Sequence, residues 1–382
     1  MDFQLSEEQR MIREMVRDFA ENEIMPIASE IDREGRFPFE TFKKMGELGI
    51  MGLPWPEEYG GAGADTVCYA IAVEEISRAC GSHGISYAAH ISLGSSPIYL
   101  FGSEEQKRKY LTPLARGEAI GAFGLTEPEA GSDAGSTKTT AVSDGNEWVI
   151  NGAKSLITNG PIAGTVITAA KTDPSARGSH GISTFIVETD RPGFSVGKEE
   201  DKFGLRGSPT SQLFYEECRI PKENLLGKEG EGFGQILDVL DGGRISIGAM
   251  ALGLGQAALE ASVKYAKERH QFERPIADFQ AVQWMIADAS TRLEAARLLV
   301  YKSAYLEDRG KKFTKEAAMG KLFASEAAEL ACFNAMQIYA GYGYTKDYPV
   351  ERFYRDNRLT QIGEGTSEIQ RLVIARQVLD AR

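Results

Sequence analysis

The stretch QIGEGTSEIQR, Gln361 to Arg371, sets one carboxylate, Glu364, between two glycines just ahead of an apparent helix start. Gly363 and Gly365 remove bulk on both sides, freeing the backbone and letting another molecule come close. That pattern suits an acid meeting a bound molecule at short range; it also suits a solvated acid in a helix-leading loop. Thr366 or Ser367 can cap the helix, Ser367 with Gln370 fits the capping-box spacing, and Ile369, Leu372, Val373 and Leu379 carry an apolar rhythm. A second candidate is GLTEPEAGSDAGSTKTTA, Gly124 to Ala141, rich in hydroxyls and small residues where helical and β-prone regions meet. Backbone N–H groups in such a loop can cradle a phosphate or meet the acceptor edge of a heteroaromatic ring; a structural turn is the plain alternative. SLITNGP, Ser155 to Pro161, places Thr158 and Asn159 near a strand end.

Several chemistries lack their signatures. No GxGxxG follows a strand, and neither GxxxxGK[ST] nor GxSxG occurs, so nicotinamide binding of Rossmann type, P-loop chemistry and a hydrolase elbow are not expected. GEGFG at Gly230–Gly234 reads as a turn into a helix. Four cysteines (Cys68, Cys80, Cys218, Cys332) and four histidines (His83, His90, His180, His270) are dispersed, without HExxH or CxxC, so neither a metal site nor a disulfide framework is expected.

The elements that must position these stretches fall into three regions. From Ser6 to about Arg116 the pattern is helical, opening with a stripe of Met11, Ile12, Met15, Val16 and Phe19 that Pro26 stops. Between about Gly121 and Gly227 come short β-prone runs separated by turns such as SDGN, with no helical stretch between them. A compact antiparallel β-domain is expected there, not βαβ units. After Gly234 long helical runs return, the last one following Glu364, and suggest a four-helix bundle. The expected units are 1–120 helical, 121–228 β and 229–382 helical, an α+β fold.

At 382 residues the chain exceeds one ordinary core. Its net charge of −12 disfavours nucleic acid or an anionic membrane as partner. No apolar run approaches the roughly 20 residues of a membrane span. The acidic, amphipathic N-terminus is unlike a signal or transit peptide, so a cytoplasmic protein, or a mature organelle form such as one of the mitochondrial matrix, is expected.

LTEPEAGSD, KSLITNG, LDGGR, KERHQFERPIADFQ, QIYAGYGYTKDYPVERFYRD and EGTSEIQRLVIAR stand in the order and spacing of the acyl-CoA dehydrogenase family. The chain resembles that family over essentially its whole length, nearest the short- or medium-chain type. The resemblance implies FAD, an acyl-CoA substrate, a homotetramer built as a dimer of dimers, and electrons passed to electron-transfer flavoprotein. It also implies residue roles. Phe123, Leu125, Thr126, Gly131 and Ser132 would meet the cofactor, Leu125 and Thr126 at the flavin ring and Ser132 near the pyrophosphate and the CoA chain. Leu156, Ile157 and Thr158 would lie along the flavin, with Thr158 at its redox-active nitrogen. Arg269, Phe272, Gln337 and Gly341 would be offered to FAD by a neighbouring subunit, an arginine fork satisfying two pyrophosphate oxygens at once, and Gln280 would also bind the cofactor. For Arg269 a solvated surface position is the alternative. Thr366 and Glu368 begin the last helix, whose positive end favours the phosphate-linked half of the cofactor. Asp241 and Arg244 resemble the substrate-side pair near pantetheine and base, and Gly363 and Gly365 would border the thioester.

In the same resemblance Glu364 is the catalytic base. A carboxylate near pKa 4.3 is a poor base for an α-hydrogen, so burial must raise it and hydrogen bonds must stabilise the developing enolate. The family uses the base's own backbone N–H and a ribityl hydroxyl for those bonds. The α-proton would go to Glu364 and the β-hydrogen to the flavin as hydride, giving a trans-2-enoyl-CoA.

Three positions depart from the commonest family pattern. Leu156 stands where an aromatic usually shields the flavin, Phe123 replaces a frequent Tyr, and Gly363 replaces a Tyr beside the base. The last widens the expected pocket toward branched, cyclic or otherwise broad acyl groups. The alternative base of the isovaleryl type would need an acid at Gly242 or Gly243, and none is there. Two rival readings remain: an acyl-CoA oxidase using dioxygen, and a catalytically silent binding relative, whose mark would be loss of Glu364, Thr126 or Thr158.

Overall fold

The computed structural model describes residues 4–176 and 178–379. The first region folds as helices α1 (Glu7–Phe19), α2 (Ala28–Glu34), α3 (Phe39–Glu47), α4 (Thr66–Ala79), α5 (Gly81–Ala88) and α6 (Ser96–Phe101), then two short turns of helix, α7 (Glu104–Gln106) and α8 (Thr112–Ala115). Ser6 starts α1 with a complete capping box: its Oγ accepts from Gln9 N–H at 3.1 Å and its own N–H donates to Gln9 Oε1 at 3.0 Å. The expected α1 stripe needs one correction. Val16 and Phe19 are buried, but Met11 is 63% exposed, because it sits about 100° around the helix from the buried edge. Past Phe19 the chain continues in a wider turn before a tight one, Met25–Ile27, that holds Pro26.

The middle region is a sheet of strands β1 (Gly121–Gly124), β2 (Thr140–Asp144), β3 (Glu147–Thr158), β4 (Thr165–Lys171), β5 (Ile182–Glu188), β6 (Phe194–Glu199), β7 (Thr210–Pro221) and β8 (Leu225–Leu226). Its order is β6-β7-β3-β2-β4-β5-β8, with β1 beside β4. Gly145 at φ 59° closes the β2–β3 hairpin at the SDGN turn. The expected purely antiparallel sheet is corrected in one respect. β1 pairs with β4 in parallel, Gly121 opposite Thr165 through Gly124 opposite Thr168, and Thr140 of β2 meets Lys171 of β4 in parallel. The local alternation of side chains is the same in either direction, so strand direction was not readable from it.

The last region holds α9 (Gly232–Glu268), a two-strand hairpin β9 (His270–Gln271) and β10 (Arg274–Pro275), then α10 (Gln280–Asp308), α11 (Thr314–Tyr339), α12 (Val350–Asn357) and α13 (Ser367–Val378). At 37 residues α9 is about 55 Å long, and α4, α10 and α11 all pack along it. The α4 contact is tight: a Cβ at Gly253 would stand 2.2 Å from the carbonyl oxygen of Glu74. α13 packs on α11. One apolar core runs through both helical regions, and a second lies within the sheet around Trp148, Phe185 and Tyr215. Ion pairs cross the helical seam: buried Arg78 to exposed Glu260 at 2.9 Å and half-buried Arg297 to buried Glu74 at 3.0 Å. Among the described residues no helix is long and apolar enough to cross a membrane.

Candidate active site

Glu364 sits in a left-handed turn, at φ 51°, followed by Gly365 at φ 89°. A non-glycine residue in this conformation costs of order 1–3 kcal/mol and persists where its surroundings hold it, often at functional positions. Gly365 is required twice over, by its own φ and because a Cβ there would meet Gln370 Nε2 at 2.8 Å. A Cβ at Gly363 would make only ordinary contact with Leu359, at 3.5–3.6 Å, so a small side chain could be accommodated there.

The carbonyls of this turn point inward. Gln370 Nε2 donates to Glu364 O at 3.2 Å and Gly365 O at 2.9 Å, and Lys321 Nζ donates to Gly365 O. Among the described residues the amides of Glu364 and Gly365 find no acceptor. Thr366 caps α13, its hydroxyl accepting from Ile369 N–H at 3.3 Å. This corrects the capping-box reading of Ser367 with Gln370, because the Gln370 side chain is spent on the turn.

The Glu364 carboxyl lies against α9. A Cβ at Gly243 would stand 2.0 Å from Glu364 Oε2, and that oxygen is buried without a hydrogen-bond partner. Burial pushes the carboxyl up to about 7, against the opposing pull of Lys321 and Arg244. One turn along, Arg244 pairs with Asp241, whose second oxygen accepts from Thr314 Oγ1. Burial raises Asp241 and lowers Arg244. Glu307 at the end of α10 is likewise pushed up to about 7, by burial and then by Asp308 and Asp241.

The polar loop is held from below by an ion pair. Lys154 Nζ meets Glu127 Oε1 at 2.6 Å with both side chains buried, and also donates to Leu125 O at 3.3 Å. Glu127 in turn accepts from the amides of Lys138 at 2.6 Å and Thr139 at 3.1 Å. Thr126 O accepts from Ser155 N–H at 2.8 Å, so the end of β1 and the SLIT stretch of β3 lie side by side. On that stretch Leu156 is 62% exposed at φ 59°, within the irregular register of β3 against β7, while Ile157 is buried and Thr158 is half-buried. Phe123 packs in the core, and Gly131 and Ser132 lie exposed on the loop.

The segment 89–95 links the two halves. Leu93 Cδ2 lies 3.6 Å from the Cβ position of Gly243, and a Cβ at Gly94 would come within 2.6 Å of Gly121 in β1. The remaining predicted residues stand elsewhere. Arg269, Phe272, Gln280, Gln337 and Gly341 are all exposed, and Arg269 lies over the Tyr342 ring at 5.9 Å. Arg269 follows the far end of α9, about 39 Å along the axis from Gly243 at 1.5 Å per residue. One chain therefore does not bring this group to its own Glu364. Glu368 is exposed in the first turn of α13, its carboxyl lowered by backbone N–H there and by Thr366.

Two features escaped the sequence reading. Lys154 and Glu127 stood inside quoted motifs, but nothing local marks them as a pair 27 residues apart. Lys321 had a signal: it shares a face with Ala317, Ala318, Ala324, Ser325 and Ala328, all buried. Gly243→Ala is expected to displace the Glu364 carboxyl and lower kcat by about 10²-fold or more, with flavin content unchanged, as steady-state kinetics and absorbance of the purified protein would measure.

Family comparison accords with this arrangement. The chain matches the models "Acyl-CoA dehydrogenase, N-terminal domain" over residues 6–118, "middle domain" over 122–218 and "C-terminal domain" over 230–379. It is 58% identical to "Probable acyl-CoA dehydrogenase YngJ" of Bacillus subtilis, covering 99% of this chain and 100% of that one. It is 52% identical, with the same coverage, to "Acyl-CoA dehydrogenase, short-chain specific" of Clostridium acetobutylicum. A solved chain from work on the electron transferring flavoprotein of Acidaminococcus fermentans superposes with a TM-score of 0.98 at 51% identity, covering 99% of this chain and 100% of that one.

Proposed function

The chain belongs to the acyl-CoA dehydrogenase family, and on that premise we propose that it desaturates the α,β bond of an acyl-CoA thioester with Glu364 as base. The observation that carries this reading is the Glu364 carboxyl: one oxygen buried and unpartnered, held by a strained turn. A group raised to about 7 matches proton abstraction near neutral pH. The amide of Glu364, without an acceptor among the described residues, would donate to a thioester oxygen, and the bonds from Gln370 to the carbonyls of the turn support that reading. Asp241 and Arg244, already paired, would border the substrate.

The residues present fit FAD. An exposed leucine held in a strained conformation, a half-buried hydroxyl at Thr158 and the Leu125–Thr126 backbone lie together where β1 and β3 end. When bound, FAD supplies the hydride acceptor at the β-carbon and the route of electrons to electron-transfer flavoprotein. Arg269, Phe272, Gln280, Gln337 and Gly341 would reach it from a neighbouring copy in the homotetramer typical of the family, as their distance from Glu364 in one chain supports. The proposed units 1–120, 121–228 and 229–382 put Leu93, Thr126 and Glu364 on three different parts of the chain. A cytoplasmic or mitochondrial-matrix setting belongs to the same proposal.

The acyl group proposed is short to medium, with branching tolerated at the α and β carbons because Gly363 brings no side chain of its own. Anaerobic addition of butyryl-, octanoyl- and isobutyryl-CoA to the flavin-loaded protein tests both levels. Bleaching of the flavin by at least one thioester is expected; no bleaching by any would remove the proposed reaction. Bleaching by the straight chains with none by isobutyryl-CoA would remove the tolerance of branching alone.

A further inference from the structure

Two charged groups meet near the base without neutralising each other. Lys321 on α11 is 1% exposed, and its donated bond goes to the carbonyl of Gly365. Among the described residues no carboxylate lies within 4.0 Å of its ammonium group. Arg244, the other cation facing Glu364, is already paired with Asp241. The Glu364 oxygen against Gly243 is equally without a partner. A buried lysine on an alanine-rich helix face is costly unless something nearby uses its charge.

We infer that Lys321 is the positioning residue of Glu364: it holds the base's left-handed turn through the Gly365 carbonyl and supplies the unspent positive charge facing the carboxylate. The inference rests on the proposed role of Glu364 and deepens it. Geometry gives the first half. The peptide after Glu364 is held by Gln370 at both carbonyls and by Lys321 at the second, so the lysine fixes which way the Glu364 side chain leaves the turn. Charge gives the second half. Glu364 is faced by Lys321 from α11, by Arg244 from α9 and by the Tyr69 hydroxyl from α4; Lys321 is faced by Glu364, Arg244 and Glu368. Asp241 and Glu307 stand behind Arg244 and Tyr69. Of these groups, Lys321 alone is a cation with no pairing carboxylate. A positive charge there favours the ionised carboxyl, so its removal must move the base's titration upward.

The test compares Lys321→Gln and Lys321→Arg in the flavin-loaded, assembled enzyme. Glutamine can still donate to the Gly365 carbonyl, so it isolates the charge; arginine keeps the charge. For Lys321→Gln the acid limb of the kcat/KM profile is expected to move up by about one pH unit, a tenfold loss on that limb that vanishes at high pH. Lys321→Arg is expected to keep the limb where it is. Infrared difference spectra of the resting enzyme, with Glu364→Gln as the subtraction control, should show the same upward movement without any turnover. An unmoved limb and an unmoved infrared titration in Lys321→Gln overturn the inference while leaving Glu364 as base. Full turnover in Glu364→Gln would instead remove the underlying reading.

Discussion

Glu364→Gln is expected to lower turnover by about 10⁴-fold, the upper range for a positioned general base, while the protein stays yellow and still binds thioester. Glutamine preserves shape and length, so the turn held by Gln370 and Lys321 has no reason to change, and only the proton acceptor is lost. The wild-type rate should carry the signature of the same group. Because burial raises Glu364 to about 7, the base is ionised above that pH, and kcat/KM should fall roughly tenfold per unit as the pH drops below it. A profile flat from pH 8 to pH 5 would contradict the assignment. Stability should move the other way. A carboxyl whose folded value lies above its unfolded one contributes stability that is complete below the unfolded value and is lost as pH rises through the folded one. Removing it should therefore raise Tm relative to wild type at pH 8 and change it little at pH 4. A Tm gain at high pH together with lost turnover would mark a residue kept for chemistry at the expense of stability.

Lys154→Met should cost about 3–5 kcal/mol of unfolding free energy, because it leaves the Glu127 carboxylate buried without its partner. Lys154 is wholly buried, burial brings it down to about 8, and Glu127 stays below its ordinary value although burial opposes this. The same lysine holds Leu125 O, so the loop next to Thr126 should loosen as well, and flavin should dissociate more readily. Denaturant unfolding and flavin release by ultrafiltration measure the two effects. Replacing both partners, Lys154→Met with Glu127→Leu, should recover much of the free energy, since two apolar groups leave no charge stranded. The Lys138 and Thr139 amides would then lose their acceptor, so recovery stays partial. A single mutant as stable as wild type would show that the pair holds nothing.

The residues themselves disclose some elements of the fold and hide others. The Ser6 start of α1 and the SDGN hairpin were legible because each is made by residues within four positions of one another. The GEGT stretch was legible as unusual for the same reason: two glycines around an acid are a local fact. Met11 was misplaced because an apolar residue fits a stripe on paper without reaching the core. The direction of β1 against β4 depended on what lay across the fold, and the choice of Thr366 over Ser367 as cap on Gln370 turning back to the carbonyls of Glu364 and Gly365.

By itself, the sequence determined the division into helical, β and helical regions and singled out Glu364 as the acid proposed to react, since hydrophobic period, turn residues and motif order are properties of neighbours along the chain. Only the tertiary structure decided the state of that acid. It brought Gly243 from α9 and Lys321 from α11 against the turn at 364–365, set Leu93 from the first region beside Gly243, and sent Arg269 about 39 Å away from Gly243 along α9. The physical reason is that burial and electrostatic field depend on distance through space, and those residues are separated from Glu364 by between 43 and 271 positions of chain.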